Sequence, residues 1–470
     1  MPAPSPVIAA PTRAAWLSAA GIAFAALAVL GPGLDTPDRP YSDEGFYLTD
    51  ARRFFCASGL LENPEHPPLG KWLIGLTIQL VGDDAVGWRA ASLVATMLLL
   101  ASLPLWLEVT GLVTARTPRW VLLVPSSLLL ADPLVHVLAR IATLDALLAL
   151  FYVSAALAWI ASLRPGLGAS HARGLRVAAG ILGGLALGTK WTALTLVPVF
   201  ALGHVRIEAG HVKLDGRAWF ELFAPWAIVY LACFALPGAT SFGPHAFPQV
   251  DGPLDPSLPW PARVATLHAR MVGYHTYYYQ GSQTSRWYEW LCARQPLWLT
   301  AWLEGPRVRV IAAIGSPLLW ITGELATAAL LVAGLRERCA SRVLPGVLVI
   351  AQLAFWAVVL RMTLLYYMGA IVPFLALSVA GLLARSYERA TDPPRAARAM
   401  AGGTVVLLSL AAGWLWYVGP LVRATPLSEP ALARYAASPA APFLFHDELP
   451  LSRALEVVRG EGFQSARLSD

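Results

Sequence analysis

About eleven strongly apolar segments constrain what this chain can fold into. They lie near residues 14–33, 86–108, 119–136, 143–163, 176–189, 191–204, 218–237, 309–334, 343–360, 364–384 and 401–420. A helix needs about 20 predominantly apolar residues to cross the hydrocarbon of a bilayer. With 57% hydrophobic and only 14% charged residues, the sequence predicts an all-α polytopic membrane protein with about eleven transmembrane helices, not a soluble domain. We expect the first segment to be a span rather than a cleaved signal, because no small-residue cleavage site precedes Pro32.

Basic residues predict the orientation of these spans. Counted from a cytoplasmic N-terminus, five loops lie inside, and they contain Arg116 and Arg119; Arg164, Arg173 and Arg176; Arg206, Lys213 and Arg217; Arg336, Arg338 and Arg342; and Arg385, Arg389, Arg395 and Arg398. This distribution follows the positive-inside rule and explains the net charge of +6 without a nucleic-acid partner. The opposite side then holds the first loop, the turn at Arg140, Lys190 and Arg361.

We expect residues 1–420 to form one transmembrane domain, with 35–85 as the first outer loop, 238–308 as a long outer loop, and 421–470 as a small external tail. Two interfacial helices are predicted in the first loop, one from Ser42, a good N-cap, to Gly59, and one after Pro67-Pro68. The Pro- and Gly-rich stretch 238–263 predicts a loop without regular structure, and 264–280 a surface helix. The cysteine spacing indicates neither a metal site nor a disulfide framework.

Asp43 and Glu44 form an acidic pair directly after the first span. One interpretation is structural, since acids at a helix N-terminus stabilise the helix dipole. The other is catalytic, with one carboxylate as a general base that takes a proton from an attacking hydroxyl. On this second interpretation we expect Asp43 to be the base and Glu44 to orient a neighbouring group.

Several cations are predicted to share the side of the membrane that holds this pair. Lys71, in "HPPLGK", lies at headgroup depth and suits a phosphate. Arg89 lies at the mouth of the second span, and ionisable groups at such positions usually face a protein interior or a wet cavity. Arg140 with Asp145 allows an ion pair that fixes helix packing, and Lys190 allows an interfacial anchor.

An aromatic stretch, residues 274–298, mixes rings with polar side chains. It contains Tyr274, His275, Arg286, Trp287 and Glu289. An aromatic belt at the membrane surface explains the rings. Sugars also stack on aromatic faces while their hydroxyls bond to such polar groups, so a lid over a bound sugar is the functional alternative.

These motifs resemble the protein O-mannosyltransferase family, within the C-type (GT-C) superfamily of polyprenyl-phosphate-dependent membrane glycosyltransferases. The resemblance runs from Asp43-Glu44 through "HPPLGK", "ARIATLDA", "GLALGTKWTAL" and "SRWYEW" to "YYMGAIVPFLAL". "HPPLGK" with the upstream acidic pair is the most specific element. The chain departs from many relatives at Tyr366-Tyr367-Met368, where they have a histidine, and its long outer loop is too short for the soluble module of eukaryotic members.

The resemblance implies an inverting transfer of one sugar, mannose in the family, from a polyprenyl-phosphate donor to an acceptor hydroxyl, expected to be Ser or Thr of an exported protein. It implies a bacterial inner-membrane enzyme whose active site faces away from the cytoplasm. Asp43 and Glu44 would be catalytic. The donor phosphate would contact Lys71, Arg89, Arg140, Lys190 and Arg361, and the sugar or acceptor would contact His66, Asp145, Tyr274, His275, Arg286, Trp287 and Glu289. No cofactor or metal is expected beyond weak binding of a divalent cation.

Three alternatives stay open at this point. The same kind of donor allows transfer of a sugar or aminosugar to a lipid or a cell-envelope glycan. A transporter of lipid-linked sugars would place polar groups near the bilayer midplane in repeated halves, whereas this sequence places its charges at the outer ends of spans and shows no repeat. A structural membrane scaffold leaves the clustered outer charges unexplained.

Overall fold

A computed structural model describes residues 10–55, 63–208, 211–235, 239–240, 257–277, 284–359, 362–447, 451–452, 455 and 463–464. In chain order the helices are α1 (Arg13–Leu30), α2 (Glu44–Phe55), α3 (Leu69–Val81), α4 (Ala85–Val109), α5 (Val124–Leu130), α6 (Pro133–Leu138), α7 (Leu144–Ser162), α8 (Ala169–Thr189), α9 (Leu196–Leu202), α10 (Gly216–Ala232), α11 (Trp260–Tyr277), α12 (Trp287–Trp290), α13 (Pro317–Glu337), α14 (Ala340–Val358), α15 (Val372–Glu388), α16 (Pro393–Val422) and α17 (Glu429–Ala436). The strands are β1 (Val205–Glu208), β2 (His211–Leu214), β3 (Leu297–Glu304), β4 (Arg307–Ala313), β5 (Leu427–Ser428) and β6 (Phe463–Gln464). Short 3-10 turns precede α5, α9 and α15.

Helices that are long and apolar enough to cross a bilayer make up the core of the structure. Seven are present among the described residues: α1, α4, α7, α13, α14, α15 with its 3-10 turn, and α16. Helices α8 and α10 and two shorter apolar segments, Arg119–Leu130 and Trp191–Leu202, occupy the remaining predicted spans. The predicted multi-pass helical fold is confirmed, and the predicted number of eleven spans is compatible with it.

Helix α7 is central in this bundle. It packs against α4 and α8, and most of its residues are buried on all sides. Its sequence is therefore a continuous apolar run rather than an amphipathic pattern.

Polar side chains at helix ends satisfy free backbone N–H groups. For example, the Asp84 carboxylate accepts from Gly87 N at 2.9 Å at the start of α4.

Two helices, α2 and α3, lie in the first outer loop. Helix α2 begins at Glu44, two residues after the predicted N-cap Ser42, and α3 begins directly after Pro68. The predicted end of the first helix, at Gly59, lies outside the described residues. The two helices pack against each other, and α3 packs against α4, so α2 and the start of α4 are held close together.

A small sheet is added to the predicted helical architecture on this side of the bundle. Strands β3 and β4 form an antiparallel hairpin, and β5 and β6 from the C-terminal tail extend it in the order β5-β4-β3-β6. The predicted span 309–334 therefore began too early, since residues 309–313 belong to β4 and helix α13 begins at Pro317. The segment is apolar because most residues of both strands are buried in the protein. Hydropathy alone does not distinguish residues buried in protein from residues that face lipid.

Candidate active site

Asp43 lines a cavity at the end of the helix bundle that holds α2 and α3. Its Oδ2 accepts a hydrogen bond from the Tyr366 hydroxyl at 3.3 Å. The cavity has a volume of about 80 Å³ and is lined by Asp43, Phe46, Tyr47, Asn63, Glu65, His66, Lys190, Tyr274, His275, Tyr366 and Tyr367. Segments up to 324 positions apart in the chain thus meet around one carboxylate.

A larger cavity of about 360 Å³ continues from this one. The two share His66, Lys190, His275 and Tyr367. The remaining walls are formed by Trp191, Thr192, Val272, Thr276, Phe355, Trp356 and Val359. Because its lining is mostly aromatic and aliphatic, the larger cavity suits an apolar ligand whose polar end reaches toward Asp43. We call the two together the Asp43 groove.

Glu44 points away from the groove, although it is the neighbour of Asp43. Ser42, just before the pair, has φ 49°, a left-handed conformation that is uncommon for a residue other than glycine. The Glu44 carboxylate is fully buried and accepts from Tyr41 N at 3.2 Å and Ala142 N at 2.9 Å. The adjacent carboxylates therefore have different surroundings, with Asp43 facing the groove and Glu44 facing the protein interior.

Arg89 is the main partner of Glu44, and this corrects its predicted contact with a donor phosphate. Its Nε and Nη2 donate to the two Glu44 oxygens at 2.8 and 3.0 Å. The remaining N–H groups donate to backbone oxygens of Leu34, Pro37 and Arg39. The side chain is fully buried, so it holds the loop that carries Asp43 and presents no face to a ligand.

Lys71 is also buried, and its ammonium is held by protein groups, which corrects its predicted contact with a donor phosphate. Its ammonium donates to Asp50 Oδ2 at 2.9 Å and to the carbonyl oxygen of Asn63. Asp50 lies in α2 and Lys71 in the first turn of α3. This lysine therefore joins the two outer-loop helices.

Among the predicted donor-phosphate cations that the structure describes, Lys190 is the one that lines the Asp43 groove. It pairs with Asp145 at 2.9 and 3.0 Å, and its ammonium lies over the ring of Tyr367 at 5.1 Å. Asp145 therefore pairs with Lys190, not with Arg140 as one interpretation of the sequence held. Arg140 lies in a different cavity.

Three predicted sugar- or acceptor-binding residues line the groove: His66, Tyr274 and His275. The His66 and His275 ring centroids are 5.2 Å apart, and His275 Nε2 donates to the Glu65 carbonyl oxygen at 2.9 Å. The "HPP" turn and helix α11 are thereby joined across the groove. Asp145 contacts the groove through Lys190.

Arg286, Trp287 and Glu289 lie elsewhere, and their predicted role in a sugar-binding lid is not supported by their position. Glu289 caps the short helix α12 by accepting from Arg286 N at 2.6 Å. Arg286 donates to the Tyr288 hydroxyl at 3.1 Å. None of the three is among the described residues that line the Asp43 groove. Arg361, the remaining predicted cation, lies outside the described residues.

The groove residues that were not predicted as site residues include Glu65, Trp191, Tyr366 and Tyr367. Burial raises the pKa of Glu65 to about 7, although the Lys71 charge opposes this shift. Each of the four lies inside or beside a motif of the resemblance, which was the signal available in the sequence. Within the part of the chain that the structure describes, no three His, Cys, Asp or Glu side chains converge as a metal site.

Comparisons with known proteins find similarity to protein mannosyltransferases. The family model for dolichyl-phosphate-mannose-protein mannosyltransferase matches residues 65–236, a range that begins after Asp43. A polyprenol-phosphate-mannose–protein mannosyltransferase of Mycobacterium tuberculosis is 28% identical over 212 residues, and one of Mycolicibacterium smegmatis is 29% identical over 215 residues. Each match covers 40% of this chain, and 38% and 39% of the relative. The chain thus aligns with about two fifths of the length of these curated relatives.

Solved structures share the fold at low sequence identity. The Saccharomyces cerevisiae protein O-mannosyltransferase Pmt1-Pmt2 complex bound to the sugar donor matches with a TM-score of 0.69 and 13% identity, over 98% of this chain and 100% of that chain. ArnT from Cupriavidus metallidurans bound to undecaprenyl phosphate matches with a TM-score of 0.54 and 18% identity, over 87% of this chain and 66% of that chain. The chain therefore shares the fold of these two membrane proteins. Together with the family match, these likenesses agree with the resemblance to the protein O-mannosyltransferase family that the motifs indicated.

Proposed function

We propose that this protein transfers a single mannose, with inversion, from a polyprenyl-phosphate donor to a Ser or Thr hydroxyl of an exported protein. The reaction would take place at the outer face of a bacterial inner membrane. One observation carries the proposal: the Asp43 carboxylate and the Lys190 ammonium line one groove whose far walls are apolar. The names of the curated relatives support the donor class and the sugar.

The groove provides the charges that such a transfer needs. As the bond between the sugar carbon and the phosphate oxygen breaks, the phosphate gains negative charge and leaves as polyprenyl phosphate. Lys190 stabilises that charge, and its burial strengthens the attraction because little water screens it. The apolar walls at Trp356 and Val359 bind the first prenyl units.

Asp43 completes the reaction on the acceptor side. The acceptor oxygen attacks the sugar carbon from the face opposite the phosphate, and its proton moves to the Asp43 carboxylate. Attack from that face inverts the configuration at the carbon. Tyr366, which donates to Asp43, holds the carboxylate in position, while Glu44 and Arg89 fix the backbone that carries it.

The remaining assignments follow from position. His66, Tyr274 and His275 lie where the sugar would sit between Asp43 and Lys190. Arg361 stays a predicted phosphate ligand. No cofactor is required by this mechanism, and weak binding of a divalent cation at Asp43 is tested by transfer with and without a chelator.

The test uses membranes that contain the protein and radiolabelled polyprenyl-phosphate mannose. Asp43→Asn keeps a side-chain oxygen that can accept the hydrogen bond from the Tyr366 hydroxyl, but it removes the general base. Transfer should therefore fall by about 10²- to 10⁴-fold. The matched control is Asp38→Asn, an exposed aspartate of the same loop, which should keep full activity. Unchanged turnover in Asp43→Asn would refute the role of the base.

The labelled product identifies the acceptor. Mass spectrometry that places the label on Ser or Thr of an exported protein supports the proposal. A label that extracts with lipids or remains in an envelope glycan would favour the alternative acceptor class while retaining the same donor chemistry.

A further inference from the structure

A second cavity lies at the same end of the helix bundle as Asp43. It has a volume of about 640 Å³ and is lined by Ala28, Val29, Pro32, Gly33, Thr36, Arg140, Arg309, Arg423, Ala424, Thr425 and Pro426. The walls come from the end of α1, the turn before α7, strand β4 and the chain that follows α16. No lining residue is shared with the Asp43 groove, so we call it the arginine cavity.

Two of its three arginines have only neutral partners among the described residues. Arg140 donates from Nε to the Leu30 carbonyl at 2.9 Å and from Nη2 to the Pro32 carbonyl. Arg423 donates from Nη2 to His136 Nδ1 at 3.3 Å. The third, Arg309, is neutralised by Glu304 at 2.8 and 3.1 Å.

This arrangement differs from that of two arginines at the opposite end of the bundle. There, Arg176 and Arg385 pair with Glu221 and Glu337. In the arginine cavity, burial and the nearby Arg423 charge lower the pKa of Arg140 to about 10. Two like charges held together without a carboxylate favour an anion, and guanidinium groups bind phosphate through paired hydrogen bonds.

The position of the cavity indicates where that anion comes from. Along α1, Phe24, Leu27 and Val29 are exposed large apolar residues, as expected on a helix face turned to lipid. Val29 also lines the arginine cavity. The cavity therefore opens where the lipid-facing side of α1 ends, at the depth of phospholipid headgroups.

We propose that the arginine cavity binds the phosphate of an anionic membrane phospholipid, with the acyl chains lying along the exposed face of α1. Lipid phosphates at this depth are attracted by clustered basic side chains. The site has a route to the catalytic loop, since the Arg140 carbonyl accepts from the Tyr41 hydroxyl at 3.2 Å and Tyr41 N donates to Glu44. A bound phospholipid would thus stabilise the segment that carries Asp43.

The test measures lipid retention by native mass spectrometry of the full-length protein, purified in detergent and supplied with equal amounts of phosphatidylglycerol and phosphatidylcholine. Arg423→Gln removes one uncompensated charge from an exposed position and keeps a donor for His136. We expect its preference for phosphatidylglycerol over phosphatidylcholine to be about tenfold lower than that of the wild-type protein, because a charge-assisted hydrogen bond is lost. The matched control is Arg434→Gln, an exposed arginine of α17 outside the cavity, which should retain the wild-type preference.

Two further arms keep the result decisive. Arg423→Lys retains the charge and should retain most of the preference, even if the glutamine variant is poorly folded. The other arm compares the unfolding temperature of the protein with inorganic phosphate alone and with phosphatidylglycerol. We expect phosphatidylglycerol to raise the unfolding temperature and inorganic phosphate to leave it unchanged. Equal retention of the two lipids by the wild-type protein, equal preference in Arg423→Gln and Arg434→Gln, or protection by inorganic phosphate without lipid retention would each overturn the proposal.

Discussion

Two arginine–carboxylate pairs that involve residues of the first outer loop have nearly the same geometry and very different burial. Arg89 and Glu44 meet at 2.8 and 3.0 Å with both side chains fully buried. Arg52 and Asp83 meet at 2.9 and 3.0 Å with 41% and 49% of their side chains exposed. The same substitution in each pair therefore separates the contribution of burial from the contribution of geometry.

Arg89→Ala should be much more destabilising than Arg52→Ala. Without Arg89, the buried Glu44 carboxylate keeps, among the residues that the structure describes, the N–H groups of Tyr41 and Ala142. Breaking a buried ion pair costs about 3–5 kcal/mol. The three loop carbonyls that Arg89 satisfies lose their donors as well. Arg52→Ala breaks a pair that water screens, for which about 0.2–1 kcal/mol is expected.

The measurement is the unfolding midpoint of each purified variant in the same detergent, compared with the wild-type protein. Arg89→Lys serves as a third variant, because it keeps the charge while losing the paired hydrogen bonds, and it should fall between the other two. Equal destabilisation by Arg89→Ala and Arg52→Ala would refute the argument, since it would mean that the Glu44 site is hydrated or that its carboxylate is uncharged.

Three further predictions concern the groove and the bundle. Burial raises the pKa of Glu65 from 4.5 to about 7, so between these pH values the native chain holds a proton that the unfolded chain has lost. The stability of the protein should therefore fall as the pH rises from 4.5 to about 7. Glu65→Gln should remove this pH dependence, measured as unfolding midpoints over the same pH range. Lys190→Gln should lower transfer about a hundredfold. The control Asp145→Asn breaks the same ion pair but keeps the Lys190 ammonium, so it should retain most of the transfer activity. Equal losses of transfer in the two variants would contradict the role of Lys190 in binding the phosphate. Gly180→Ala places a Cβ 2.1 Å from a backbone oxygen of α10 and should cost about 1–3 kcal/mol, while Gly174→Ala on the same helix meets no atom within 4 Å and should leave the unfolding midpoint unchanged or raised.

The pairing of the charged residues was not predicted from the sequence. The motifs placed Asp43, His66 and Lys190 at one end of the spans, and in the structure these three residues line one groove. Lys71 and Arg89 have the same signature in sequence, yet each is buried against an acid of the first outer loop. A sequence shows which charges need a partner but not which partner lies within 3 Å.

Hydropathy and charge alone determined the class of this protein. The apolar segments must lie in lipid or in a protein core, and the basic loops between them define its two sides, because both effects depend on composition over about 20 residues. The tertiary structure decided what local composition leaves open: that strand β4 replaces the start of a predicted span, that Glu44 is buried while Asp43 faces a groove, and that Arg140 lies in a separate cavity. Each of these depends on contacts between residues far apart in the chain, and burial against such partners changes the energy of a charge by several kcal/mol.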